Sequence, residues 1–199
     1  MSVYEPTDRT QLRRHAERGA FDREAVHAIL DEGVLAHVGV DAGSGPVVLP
    51  MAYARIDDRL YLHGAPANAI LRAAVGGAPV CVTVTILDGL VLARSAFHHS
   101  MNFRCVVAFG ILERVIDPNE QLAASDALVE RMQAGRSAEA RRPTPTELRG
   151  TLIARLDLDE VSAKVRTGPP LDERDDLELP VWAGVVPLEM VRGTPVPDV

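Results

Sequence analysis

The chain has 199 residues and lacks most of the features that assign a protein at sight. No stretch approaches the roughly 18 consecutive apolar residues of a membrane span. The richest run, Val80 to Ala93, is broken by Asp88 and Gly89. The N-terminus carries no apolar signal core, so no secretory leader is expected. There are 2 cysteines. Both, Cys81 and Cys105, sit inside apolar strand-like runs, which gives neither a disulfide framework nor a metal pattern and points to a reducing, cytoplasmic setting. Basic residues number 21 against 28 acidic ones, for a net charge of −7, and this argues against nucleic-acid or anionic-membrane partners, which need clustered cations. GxSxG, HExxH and Walker A signatures are absent. The GSGP turn at Gly43 to Pro46 lacks the spacing and the following helix of a dinucleotide fingerprint. Repeats and low-complexity segments are absent as well.

What is present is an ordinary globular composition, 47% hydrophobic and 25% charged, which predicts a single domain over residues 1–199 with an N-terminal arm and a C-terminal extension. In the arm, Arg9, Arg13 and Arg14 are interspersed with Glu5, Asp8 and Glu17, the pattern of a solvated segment. Asp22 predicts an N-cap for a helix that buries Val26, Ile29 and Leu30 and stops at Gly33. Strands are expected at 34–40, 47–56 and 59–63, then a short helix over 66–75. Val80 to Leu87 alternates with period two, and Asp88-Gly89 predicts a hairpin into a strand over 90–97. A further strand over 103–116 leads to Asp117 and Pro118, which open a helix reaching Met132. After a polar connector at 135–142, Thr144 to Glu147 fits a capping box. Strand returns over 151–165 and 181–188, across a solvated acidic loop at 171–179. Many antiparallel strands with few helices predict a mainly β, α+β fold: a β-barrel with peripheral helices.

The densest chemistry is SAFHHSMNFR, Ser95 to Arg104. Two serines, two histidines, an asparagine and an arginine supply more donors than a fold needs, because burying a polar side chain unpaired costs about 1–3 kcal/mol. The segment reads as a binding site for a polyanionic or heteroaromatic ligand. His98 and His99 are adjacent, so on an extended strand they point to opposite faces and do not share a metal. Ser162, Lys164 and Arg166 form a polar stripe opposite Val161, Ala163 and Val165, the pattern of an exposed sheet face. Trp182, the single tryptophan, reads as a packed ring.

The strings LPMAYAR (49–55), LYLHGAPAN (60–68), VTVTILDGLVLARSAFHHSMNFR (82–104), VSAKVRTGPP (161–170) and VWAGVVPLEM (181–190) resemble, in order, the pyridoxamine 5′-phosphate oxidase-like, flavin-nucleotide-binding family, whose relatives include the nitroimidazole-resistance proteins. The resemblance implies a homodimeric split β-barrel that binds FMN between subunits. It also implies a flavin-dependent oxidoreductase acting on a small organic substrate, with a nicotinamide or deazaflavin as electron donor. Under it Pro50, Met51, Ala52 and Tyr53 border the flavin ring. Ser95, His98, His99, Ser100 and Asn102 give polar contacts, Arg104 and Lys164 balance negative charge, and Trp182 closes the cleft. The phosphate loop departs from the family: His63, Gly64, Ala65, Pro66, Ala67, Asn68, Ala69 lacks the usual serines and cation, which leaves Asn68, Arg72 or Arg104 to compensate. Two alternatives stay open. One is haem, with His63, His98 or His99 as axial ligand; the other is a non-catalytic flavin-binding sensor. No general acid or base is nominated.

Overall fold

The computed structural model describes residues 2–43 and 45–198; Ser44, inside the Gly43-to-Pro46 turn, lies outside them. The elements in chain order are β1 (Gly19–Ala20), α1 (Arg23–Glu32), β2 (Ala36–Asp41), β3 (Pro46–Met51), β4 (Tyr53–Ile56), β5 (Arg59–Gly64), α2 (Ala69–Val75), β6 (Pro79–Leu92), β7 (Ser100–Ile111), β8 (Glu113–Arg114), α3 (Pro118–Met132), α4 (Arg136–Glu139), α5 (Pro145–Arg149), β9 (Leu152–Asp157), β10 (Glu160–Arg166) and β11 (Gly184–Pro187). The strands form a seven-stranded sheet, in the order β1-β10-β7-β6-β2-β3 with β11 paired to β6, and a four-stranded sheet, β4-β5-β9-β8. Mostly antiparallel sheet with a few helices is the fold class the sequence predicts. No helix among the described residues is long and apolar enough to cross a membrane.

Helix starts follow local chemistry. The Asp22 carboxylate accepts from the Ala25 amide, and α1 buries Val26, Ile29 and Leu30. Asp117 accepts from the Asn119 and Glu120 amides, with Pro118 at the first turn of α3. Thr144 and Glu147 form the reciprocal capping box of α5. Each cap satisfies amides that the helix itself leaves without acceptors.

Several expectations need correction. Asp88-Gly89 makes no hairpin, because β6 runs unbroken from Pro79 to Leu92. Gly89 pairs with Pro187 of β11, and a Cβ there would stand 2.9 Å from Val185 Cγ1 and 3.0 Å from the Val186 carbonyl. The glycine therefore admits a neighbouring strand rather than turning the chain. The expected strand over 47–56 splits at Ala52 into β3 and β4, and that over 151–165 splits into β9 and β10, with the pieces in different sheets. A chain that leaves one sheet for another keeps its apolar alternation, so the period does not mark the break. The charged residues of the N-terminal arm, Glu5, Asp8, Arg9, Arg13, Arg14 and Glu17, are exposed as expected, but the arm is also anchored: Tyr4 is 2% exposed and its hydroxyl bonds Asp58 and His27. The stripe at Ser162 and Arg166 is buried. In the acidic loop, Asp172 is anchored by the Arg94 amide and guanidinium, both at 2.8 Å.

Two compact units divide the chain: Met1–Thr85 with Cys105–Lys164, and Ile86–Arg104 with Val165–Val199. The first holds the main core, with Leu30, Val38, Tyr53, Leu60, Leu62, Leu71, Val82 and Leu156 essentially inaccessible. On the α3 side of its four-stranded sheet, Tyr61, Val115, Ala124 and Ile153 form a smaller apolar cluster. There the Tyr61 hydroxyl donates to Glu120 at 2.8 Å, and Arg155 bridges Glu120 and Glu113. Burial acts to raise the Glu120 pKa, but the bonds from Arg155 and Tyr61 outweigh it and hold the carboxyl below its ordinary value. A depressed carboxyl contributes stability above its unfolded pKa of about 4.3, and that contribution is lost as pH falls through the folded value. Glu120→Gln is therefore expected to flatten the loss of stability below about pH 4 in urea titrations at stepped pH.

Candidate functional site

In the first unit, β3 lies at an edge of its sheet, with Val47, Val48 and Leu49 exposed and Pro50, Met51 and Ala52 accessible beside them. Tyr53 differs. It is 1% exposed, and its hydroxyl donates to the carbonyls of Leu30 or Gly33 at 2.5 and 2.8 Å. Burial raises its phenol pKa, and its ring belongs to the core. β5 ends in His63 and Gly64. At Gly64 a Cβ would come 2.8 Å from Leu71 Cδ1, so a side chain there would have to displace the end of the Leu71 side chain on α2. Asn68 Oδ1 accepts from the Ile70 and Leu71 amides, which makes this side chain the cap of α2. Arg72 is exposed on α2, and Lys164, the chain's single lysine, is half-buried on β10; neither forms an ion pair among the described residues.

In the second unit, Ser95 accepts from the Phe97 amide to open a single 3-10 turn over Ala96–His98. His99 Nδ1 lies 3.0 Å from the Ser95 carbonyl and donates to it, since a carbonyl oxygen only accepts. His98 Nε2 stands 3.7 Å from Glu173. His99 and Ser100 are exposed. Asn102 is 8% exposed; its amide nitrogen donates to the Gly168 carbonyl at 3.1 Å and its oxygen accepts from Arg166. Arg104 grips Asp88 through Nε and Nη2 at 3.0 and 2.7 Å. Trp182 is 64% exposed, with its ring against Gly184, where a Cβ would stand 3.0 Å away. It is not the packed ring that the sequence reading expects. Asn102 thus latches the Gly168 backbone and Arg104 the Asp88 carboxylate, whereas His99, Ser100 and Trp182 present themselves to solvent.

Sequence reasoning passed over a cavity of about 230 Å³ in the first unit, walled by Leu128, Val129 and Met132 of α3, Leu148 of α5 and Ile153 of β9. Four polar side chains also line it. The Ser125 hydroxyl donates to the Gln121 carbonyl, and the Thr151 hydroxyl to the Glu147 carbonyl. The Glu147 carboxylate is bound by Arg141 and the Thr144 amide, which hold its pKa at about 2. The fourth is His63, whose Nδ1 is buried with no hydrogen-bond partner. A buried polar atom left unpaired costs about 1–3 kcal/mol. No periodicity in α3 or α5 signals this cavity, because its walls come from segments about 60 to 90 residues from His63. A larger cleft of about 450 Å³ is lined by Asp57, Asp58, Asp157 and Asp159; of these, Asp58 is held by Tyr4, Arg23 and His27, and Asp157 by Arg59. Among the described residues no group of three His, Cys, Asp or Glu side chains is arranged to hold a metal ion.

Comparison with known proteins places this geometry. The pyridoxamine 5′-phosphate oxidase family profile matches residues 22–165. A flavocytochrome from Azotobacter vinelandii is 38% identical, with a TM-score of 0.91 over 98% of this chain and 91% of that one. The FAD and heme binding protein from Mycobacterium smegmatis is also 38% identical, with a TM-score of 0.87 over 91% and 89%. A 5-nitroimidazole antibiotic resistance protein homologue from Bacteroides thetaiotaomicron shares the fold at 22% identity, with a TM-score of 0.62 over 74% and 86%. No curated protein matches significantly. By profile, identity and fold, the chain belongs to the pyridoxamine 5′-phosphate oxidase family.

Proposed function

We propose that this chain is a flavin-dependent oxidoreductase that binds FMN, alone or as the FMN moiety of FAD. The observation that carries the reading is the 38% identity, over nearly the whole chain, to two proteins named as a flavocytochrome and an FAD and heme binding protein. Bound flavin supplies two-electron transfer between a reduced nicotinamide or deazaflavin and a small organic substrate. The chain supplies binding groups. In the first unit, Pro50, Met51 and Ala52 offer an accessible strand edge to a planar ring. Arg72 and Lys164, committed to no carboxylate, replace the cation missing from the 64–69 loop as partners for phosphate. In the second unit, exposed His99, Ser100 and Trp182 offer donors and an aromatic face. A second copy of this chain is the partner that covers the bare apolar edge strand β3, an exposure that monomers ordinarily blunt. Both cysteines are free thiols, in keeping with a cytoplasmic setting.

Purified protein is expected to be yellow or to become so with added FMN or FAD, and chromatography of the released cofactor tells which it holds. Arg72→Ala and Lys164→Ala are each expected to weaken flavin binding about tenfold, the worth of one charge-assisted contact. A colourless protein that takes up neither nucleotide ends this reading.

A second reading adds haem to the flavin. What favours it is that both 38%-identical relatives are named for haem as well as flavin, and that this chain has His63, His98 and His99 as imidazoles that could serve as an axial ligand. Protein that takes up haemin, seen as a shifted Soret band, supports it.

A further inference from the structure

We infer that the cavity between α3 and α5 is a binding site for a small neutral phenol, a single aromatic ring carrying one hydroxyl. The inference goes beyond the flavin reading, since none of the groups proposed there for flavin lines this cavity. Volume sets the class of ligand. At about 230 Å³ the cavity falls below the roughly 300 Å³ at which sites for drug-sized molecules begin, and it exceeds the roughly 150 Å³ in which an apolar cavity holds benzene. One ring with one or two small substituents is what it admits. Leu128 and Val129 of α3, Leu148 of α5 and Ile153 of β9 give that ring apolar walls. Met132, also in the lining, is 57% exposed, which gives the ring a way in from solvent.

Polar groups set its chemistry. On β5, side chains alternate between faces, so His63 shares the face of Tyr61, and its register partner is Ile153 on β9. That face looks toward α3, whose Ala124 packs with Tyr61 and Ile153. Of the two imidazole nitrogens, Nδ1 is buried without a partner and Nε2 is neither buried nor hydrogen-bonded. Buried N–H groups are orphaned more rarely than buried acceptors, so the proton belongs on Nε2 and His63 brings a donor to the cavity. Ser125 and Thr151 bring the opposite. Each hydroxyl donates its proton to a backbone carbonyl, of Gln121 at 2.8 Å and of Glu147 at 2.9 Å, and keeps lone pairs that can accept. A ligand hydroxyl matches both kinds of group, accepting from Nε2 and donating to a Ser125 or Thr151 oxygen. Glu147 decides the charge. Its carboxylate, held by Arg141 and the Thr144 amide with a pKa of about 2, puts a negative charge in the lining, while Arg141 is not part of that lining. An anion beside it and among apolar walls is repelled, so a phenol enters and a carboxylate of the same size does not.

The test is isothermal titration calorimetry of the purified full chain with p-cresol and with p-toluate, which carries a carboxylate in place of the hydroxyl. A haem on His63 would use the same imidazole, so no haemin is added. p-Cresol is expected to bind once per chain, and p-toluate at least tenfold more weakly. Glu147→Gln, which keeps a side chain able to complete the capping box, is expected to narrow that gap at least threefold. His63→Phe keeps a ring and removes the donor, and is expected to weaken p-cresol about three- to tenfold, the worth of one hydrogen bond. Val129→Trp fills the cavity and is expected to abolish p-cresol binding. If wild-type protein takes up no p-cresol at millimolar concentration, or binds p-toluate as tightly, the inference is overturned, and both results need no variant to fold. Full p-cresol affinity in a folded Val129→Trp protein would place the phenol elsewhere and overturn it as well. Flavin content enters none of these outcomes, so failure here leaves the flavin reading untouched.

Discussion

Replacing Arg131 with methionine is expected to lower the stability of the protein by about 3 kcal/mol, the worth of charge-assisted hydrogen bonds at a helix end. The last carbonyls of a helix have no intrahelical donor, and α1 ends at Glu32, with the Gly33 amide returning to the Ile29 carbonyl. Arg131, in the last turn of α3, reaches across about 100 residues of sequence and donates to the carbonyls of Asp31, Leu30 and Gly33. A cation at a helix C-terminus also opposes the negative end of the helix dipole. Tyr53 donates to two of the same carbonyls, and the guanidinium lies 5.7 Å from its ring centroid. Methionine keeps much of the apolar stem and removes the donors together with their charge, so the loss reports the bonds and the dipole contact jointly. For a chain of this size, 3 kcal/mol corresponds to a fall in melting temperature of about 6–12 °C. A double-mutant cycle with Tyr53→Phe is expected to show coupling, because each donor partly covers for the other at the shared carbonyls. A fall below about 2 °C for Arg131→Met would mean that water serves those carbonyls equally well.

Arg131 also shows where sequence reading runs out. Features set by neighbours in the chain were legible: the caps at Asp22, Asp117 and Thr144, the apolar face of α1, and the fold class that follows from many strands with few helices. Features set by distant partners were not. Asp88-Gly89 has the composition of a hairpin, but β11, about 95 residues on, claims Gly89 as a strand neighbour. Tyr53 continues the alternation of an exposed strand, yet the break at Ala52 moves it into the core under α1. The density of donors drew attention to the polar string at 95–104 as a unit, while the structure sorts it residue by residue into groups that bond other parts of the chain and groups that face water. The His63 cavity has no local signature at all, because the imidazole and its walls come from three separate stretches of chain.

Asn102 is the member of that string whose replacement has the largest expected effect, and the effect is on folding first. Its side chain is a two-way latch in the second unit: the amide nitrogen holds the Gly168 carbonyl, and the oxygen accepts from the buried Arg166 guanidinium, whose other nitrogen reaches the Pro169 carbonyl. Gly168 sits at φ +105°, a backbone conformation that glycine adopts without strain and that a side chain disfavours, so the turn after β10 depends on both a residue type and a tether. Asn102→Leu removes donor and acceptor together and leaves a buried cation short of one acceptor, at a cost of about 2–3 kcal/mol. Because the bonds are local to the turn, the loss is expected first as faster amide hydrogen exchange over residues 166–170, ahead of any change in the α1–β5 core. Asn102→Asp, which keeps the acceptor and adds a charge to meet Arg166, is expected to recover part of the protection. If exchange in the turn is unchanged in Asn102→Leu, while flavin affinity falls, then this side chain serves the ligand directly and the latch is incidental.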